Sequence, residues 1–276
     1  MIETISMYFS YPFVRYAFIC GILVSMCAAL LGVTLVLRRY SFMGDGLSHA
    51  SFGALAIATV LSISNSMVIV LPITILVSIL VLGISGKKKA KGDSTLAVLS
   101  VSAMAIGYLL LNRFSTSANI SGDVCSSLFG STSILTLSES DVWISFGLSV
   151  LVIVLFSLIY NKVFSITFDE SFAKATGVNV KLSNFILSVI ISIVVVVSMK
   201  LVGALLTSAV IIFPALTSMR LFDSFKKVTI FSVVLGAVSS GIGILLSILF
   251  STPVGATIVL VDLIVYIIIV LIKHFK

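Results

Sequence analysis

Apolar runs of about 20 residues recur along nearly the whole of this 276-residue chain, and they constrain its fold more than any other feature. A helix that crosses the hydrocarbon core of a bilayer needs roughly 20 consecutive, mostly apolar residues. Such runs fall at about 16–37, 45–64, 66–86, 94–112, 142–164, 182–200, 202–219, 228–250 and 254–273. In hydrocarbon a helix satisfies its own backbone N–H and C=O groups, so these runs read as helices despite their many Val and Ile residues. The expected fold class is therefore all-α: a polytopic membrane protein with one domain of about nine transmembrane helices. The count falls to eight if 182–219 forms a single span. Composition agrees. The chain is 59% hydrophobic and 10% charged, with a mean hydropathy of +1.29, against roughly 45–50% and 25% in a soluble domain. So few polar groups cannot cover a soluble surface. This excludes an ordinary cytosolic enzyme, a disulfide-stapled secreted scaffold and a disordered tail.

Charge sets an expected orientation. Arg38, Arg39, Lys87, Lys88, Lys89, Lys91, Lys162, Lys174, Lys181, Arg220, Lys226, Lys227, Lys273 and Lys276 fall on one side of a nine-span arrangement; Arg15, Arg113 and Lys200 fall on the other. Basic residues collect in cytoplasmic loops, which places the N-terminus outside and the C-terminus in the cytoplasm. The same rule explains the formal net charge of +7 without a nucleic-acid partner. An eight-span arrangement breaks the pattern. Cys20 and Cys27 lie about 10 Å apart along one helix, too far for a disulfide, and Cys125 stands apart. The first 15 residues lack the basic start of a cleavable signal peptide.

Three stretches depart from simple spans. Segment 113–141, half polar, is expected to be an extracellular re-entrant or interfacial piece. Segment 166–181 contains Asp169, Glu170, Phe172, Ala173 and Gly177 and reads as a short amphipathic cytoplasmic helix closed by Gly177. Tyr40–Gly46 interrupts the apolar pattern where the second span begins. The chain has no G-x-x-x-x-G-K-[ST], so it does not hydrolyse ATP by a P-loop. H-E-x-x-H, C-x-x-C and G-x-S-x-G are also missing. With two histidines in all, a catalytic triad is not expected.

Asp45 and His49 are the residues with chemistry to offer. Four positions apart, they share a helix face, and a carboxylate inside a span costs roughly 2.5–3.5 kcal/mol on the insertion scale. Carboxylate plus imidazole suits Mn, Zn or Fe(II), whereas Mg and Ca prefer oxygen alone. Two plainer readings compete: Asp45 as an N-cap of its helix, and His49 as a core histidine bonded to a backbone carbonyl. Asp262, deep in an apolar run, is either a second cation contact or a polar group satisfied by a neighbouring helix. Pro214 should kink or break its helix, and Gly236, Ser240 and Gly243 are spaced for close helix packing.

Several blocks, in order along most of the chain, resemble the ABC-3 family of integral-membrane permeases from manganese, zinc or iron importers. Arg38-Arg39-Tyr40-Ser41-Phe42-Met43-Gly44-Asp45-Gly46-Leu47-Ser48-His49-Ala50-Ser51 is similar to the family's RRxSLMGDALSHAS block. Leu128-Phe129-Gly130, Phe168-Asp169-Glu170-Ser171-Phe172-Ala173, Val202-Gly203-Ala204, Pro214-Ala215 and Pro253-Val254-Gly255-Ala256-Thr257 follow. The departures are Gly46, where alanine is usual and which could loosen the helix start, and Asp262, where an apolar residue is expected.

The resemblance implies a type II importer permease. A second permease copy, a pair of cytoplasmic ABC ATPases and an extracellular metal-binding lipoprotein would be its partners. The cargo would be a divalent metal ion, with no resident cofactor. It also implies that Asp45 and His49 line the metal path. Asp169, Glu170, Phe172, Ala173 and Gly177 would belong to the coupling helix that docks on the ATPase. The alternatives are a siderophore or cobalamin permease, a gradient-driven secondary metal transporter and a membrane-embedded enzyme.

Overall fold

A computed structural model describes residues 7–63, 65–85, 92–114 and 137–275, with the backbone alone at 83–85, 92–94, 201–202 and 205–206. Most of segment 113–141 lies outside the described residues, as do Cys125, the Leu128-Phe129-Gly130 element and the Lys87–Lys91 cluster.

All regular structure among the described residues is helical. In chain order the helices are α1 (Pro12–Leu37), α2 (Met43–Val60), α3 (Met67–Ser85), α4 (Gly92–Phe114), α5 (Glu139–Phe168), α6 (Glu170–Ala175), α7 (Val180–Val202), α8 (Ala204–Leu221), α9 (Phe225–Phe250) and α10 (Val254–His274). Six of them, α1, α4, α5, α7, α9 and α10, are long and apolar enough to cross a membrane, so the chain is a multi-pass membrane protein. Among the described residues the expected count of nine spans is not met. Helix α2 uses its first two turns for Gly44, Asp45, Gly46, Ser48 and His49, which lowers its hydropathy. The apolar stretches of α3 and α8, Met67–Leu82 and Thr207–Leu221, are shorter.

The merged span over 182–219 is also absent. Gly203, at φ 96° and ψ 159°, ends α7 and starts α8. A side chain rarely adopts that backbone, so glycine is the residue that permits the break. Pro214 does not break α8, which continues to Leu221. The hydroxyls of Thr217 and Ser218 donate to the carbonyls of Phe213 and Pro214, at 2.7 and 2.6 Å.

Helix α1 is the hub, buried over most of its length and packed on α5, α7, α8 and α9. Small residues allow this. A Cβ on Gly32 would stand 1.9 Å from the carbonyl oxygen of Ile211, and one on Gly236 would press Ala29 and the Ser25 carbonyl. Ser232 adds a hydrogen bond to the Ala29 carbonyl at 3.0 Å. Backbone cannot yield as a flexible side chain can, so Gly32→Ala should cost roughly 1–3 kcal/mol or more through overpacking. A Cβ on Gly147 meets nothing within 4 Å, so Gly147→Ala should stabilise α5 by up to about 1 kcal/mol. Thermal unfolding of the two variants in detergent checks the pair; equal shifts would contradict the packing at Gly32.

The contacts divide the bundle into two ends. At one, Arg38 meets Asn184, Phe168 meets Phe225, and the Lys273 ammonium donates to the Arg220 carbonyl. At the other, Lys200 pairs with Asp141 at 3.0 Å.

Candidate functional site

The entry to α2 is built by its turn. The Tyr40 N–H donates to the Leu35 carbonyl at 2.8 Å, and the Tyr40 carbonyl accepts from Met43 N–H at 2.9 Å. Between them Arg39 takes a left-handed φ of 62°, which reverses the chain. The helix then starts at Met43 with Phe42 as its N-cap, and Asp45 lies inside the first turn. Asp45 is therefore not the cap, although the exposed N–H groups of that turn favour a carboxylate there.

Helix α2 enters between neighbours that leave no room for side chains. A Cβ on Gly44 would meet Ile211 and Ser208 of α8, and one on Gly46 would meet Leu96 of α4 at 2.9 Å. The glycine at 46 thus serves close approach to α4. It does not loosen the helix start, because its N–H still donates to the Phe42 carbonyl at 2.9 Å.

His49 Nε2 lies 3.4 Å from Asp45 Oδ1, a loose contact. The imidazole is buried, whereas the Asp45 side chain keeps 34% of its surface. His49 Nδ1 has no hydrogen-bond partner. The core-histidine reading required a carbonyl bonded to the ring, and none is present. A neutral imidazole turning Nε2–H toward Oδ1 leaves a bare lone pair on Nδ1. The site thus holds one accessible carboxylate facing Nε2 of a buried imidazole, whose Nδ1 is buried without a partner. Among the described residues no group of three His, Cys, Asp or Glu side chains comes together, so the pair supplies two protein donors.

Farther along α2, Phe52 is 1% exposed and packs with Met199, Ala204, Leu55, Met104 and Leu111. Of the pair itself, the Asp45 side chain is the part that keeps exposed surface. A lateral groove of about 850 Å³ lies on another face, lined by Ala50, Gly53, Ile57, Val77, Val98 and Ile106 among others. It contains neither Asp45 nor His49, and its walls are almost wholly apolar.

Asp262 stands apart from the pair, in the middle of α10. It is 2% exposed, and neither carboxylate oxygen makes a hydrogen bond of good geometry. The Ser239 hydroxyl of α9 is the polar group beside it; it also approaches the Gly236 carbonyl, at 3.4 Å. The reading of a polar group reached from a neighbouring helix is met in placement by Ser239, without a hydrogen bond of good geometry. A charge there would be uncompensated, at a cost of several kcal/mol. Asp262→Asn, neutral and of equal shape, should leave assembly and uptake within about twofold of the parent, since it removes no paired charge. An assembled variant that no longer transports would give the carboxyl a role in the path.

The 166–181 segment is not one helix. Helix α5 runs to Phe168, α6 covers Glu170–Ala175, and α7 begins at Val180. Asp169 caps α6, accepting from the N–H groups of Ser171 and Phe172 at 2.8 and 3.0 Å. Glu170 pairs with Lys174 at 2.8 Å. Ala173 is fully buried against Ile166, Val178 and Val180, which pins the helix to the bundle. Gly177, at φ 83°, closes it, and its N–H donates to the Lys174 carbonyl at 3.1 Å. Phe172 is left 62% exposed. Phe225, which sequence reasoning did not single out, packs on Tyr160, Phe164 and Phe168 at ring separations of 5.5, 5.4 and 6.0 Å. An aromatic at the first position of a helix carries no signal of long-range stacking.

Residues 10–273 match the family model described as the ABC 3 transport family. The manganese import system permease protein ScaB of Streptococcus gordonii is 30% identical over 94% of this chain and 90% of its own length. The manganese transport system membrane protein MntC of Halalkalibacterium halodurans is 31% identical over 91% and 84%. Among solved structures, PsaBC from Streptococcus pneumoniae, in complex with a Fab, superposes with a TM-score of 0.84 at 29% identity, over 98% of this chain and 95% of that one. An inward-facing metal-chelate type ABC transporter shares the fold, with a TM-score of 0.68 at 18% identity, covering 92% and 84%.

Proposed function

Since the chain belongs to the ABC 3 transport family, we propose that it is the membrane permease subunit of an ATP-driven importer of divalent transition metal, with Mn2+ the first cargo to test. The carrying observation is the Asp45–His49 pair, a partly exposed carboxylate facing the imidazole Nε2 at 3.4 Å. Two N/O donors suit Mn2+, Zn2+ and Fe2+ and exchange cargo more readily than a complete ligand set. The names of ScaB and MntC favour manganese.

In this reading two permease copies stand over a dimer of cytoplasmic ATPases, and an extracellular lipoprotein delivers the ion. A symmetric pair of copies would double the donors to two carboxylates and two imidazoles. The end of the bundle that carries Arg38, Arg220 and Lys273 faces the cytoplasm. The start of α1 is then outside and the end of α10 inside. Helix α6 presents Phe172 to the ATPase, and closure of the ATPases moves the helices as near-rigid bodies between outward and inward openings. The chain catalyses no reaction itself.

The test is elemental analysis of cells that express this chain with its ATPase and lipoprotein, set against cells that lack it. Mn2+ accumulation should depend on the chain. If zinc or iron responds in place of manganese the cargo assignment changes, and if no metal responds the reading fails.

A further inference from the structure

The α1–α2 turn holds a residue that ties the start of α7 to the turn from which the Asp45–His49 helix begins. Arg38 caps α1, its N–H donating to the Thr34 carbonyl at 3.1 Å. Its Nη1 donates to Asn184 Oδ1 on α7, also at 3.1 Å. Its guanidinium lies 5.6 Å from the ring centroid of Tyr40, the residue whose carbonyl receives the Met43 N–H and so starts α2. The Glu170 carboxylate of α6 is taken by Lys174, and α6 reaches the start of α7 through Ala173, packed on Val180. Arg39, next in the chain, is exposed.

We propose that Arg38 is a positioning residue that transmits movement of α6, carried through the start of α7, to the turn that sets the Asp45–His49 helix. This rests on the proposed role of α6 in ATPase coupling. A planar guanidinium has five donors and a face that packs on an aromatic ring, so one side chain can hold Asn184 and Tyr40 together. A displacement of α6 shifts the start of α7 through Ala173 and Val180, and Asn184 then pulls Arg38 and the turn with it. Lysine has the charge but not the plane or the fork, and cannot hold both contacts in this way.

The test uses the permease–ATPase complex in proteoliposomes, reading Mn2+ transported per ATP hydrolysed. Arg38→Ala should lower that ratio by about tenfold while hydrolysis continues, the size of a typical coupling between sites. Arg38→Lys should fall between, and Arg39→Ala should match the parent. In the double variant Arg38→Ala/Asn184→Ala the losses should be less than additive. Should Arg38→Ala fail to assemble, Arg38→Lys and Asn184→Ala carry the same readout. A parental ratio in every assembled Arg38 and Asn184 variant overturns the inference. Phe172→Ala, run in parallel, separates the two levels. If it too leaves the ratio unchanged, the coupling role of α6 fails; if it alone lowers the ratio, only the role of Arg38 fails.

Discussion

His49→Ala and Asp45→Ala should each abolish Mn2+ accumulation while the permease still assembles in the membrane. In the proposed reading the pair provides the two ligating side chains, so removing either halves what one chain can offer an ion. Loss of a residue that only supports a ligand typically costs 10–100-fold in affinity; loss of a ligand should cost about 100-fold or more. Folding should survive, since the two groups share only a loose 3.4 Å contact and Nδ1 bonds to nothing that would be orphaned. The measurement is cellular manganese by elemental analysis, alongside the amount of permease in the membrane. Asp45→Asn sharpens it, keeping the shape and removing the charge. Wild-type accumulation in any of these variants would remove the pair from the metal path.

Phe172→Ala should separate ATP hydrolysis from transport. The ring is 62% exposed on a six-residue helix whose other face is anchored by Ala173. An exposed aromatic on so short an element does nothing for the fold of this chain. Seated in a partner's pocket, such an anchor typically contributes about 2–4 kcal/mol. Uptake should fall by roughly 30-fold or more by that arithmetic, while the ATPases continue to turn over. Asp169→Ala is the companion variant. It removes the two N-cap hydrogen bonds and should destabilise α6 by about 1 kcal/mol, giving a smaller, graded loss of coupling. Unchanged uptake with both variants would mean that α6 is not the docking element.

Local patterns carried much of this structure. The helical class follows from hydropathy, because hydrocarbon leaves the backbone little choice. The close of α6 follows from Gly177, because caps act within a few residues, whereas its start at the Asp169 cap was read into one longer helix. The pairing of Asp45 with His49 follows from a four-residue spacing. The span count did not follow: a window of apolar residues does not register that Gly203 breaks a run or that α2 begins on polar turns. Nor did the fate of Pro214, since α8 is held by its packing on α1, α2 and α10.

The arrangements that matter most to function join residues far apart in the chain. Arg38 to Asn184, Phe225 to the aromatic side of α5, and Phe52 to Met199 and Met104 were not legible. The sequence alone determined that this protein lives in a bilayer, that it is helical, and which carboxylate and imidazole share a turn. Tertiary packing alone decided that Nδ1 of His49 is buried without a partner, that Phe52 joins an apolar cluster with Met199, and that one arginine ties the α1–α2 turn to α7. Helices and their caps are set by neighbours in sequence, whereas the desolvation of a ring nitrogen or the reach of a guanidinium depends on which distant surfaces meet.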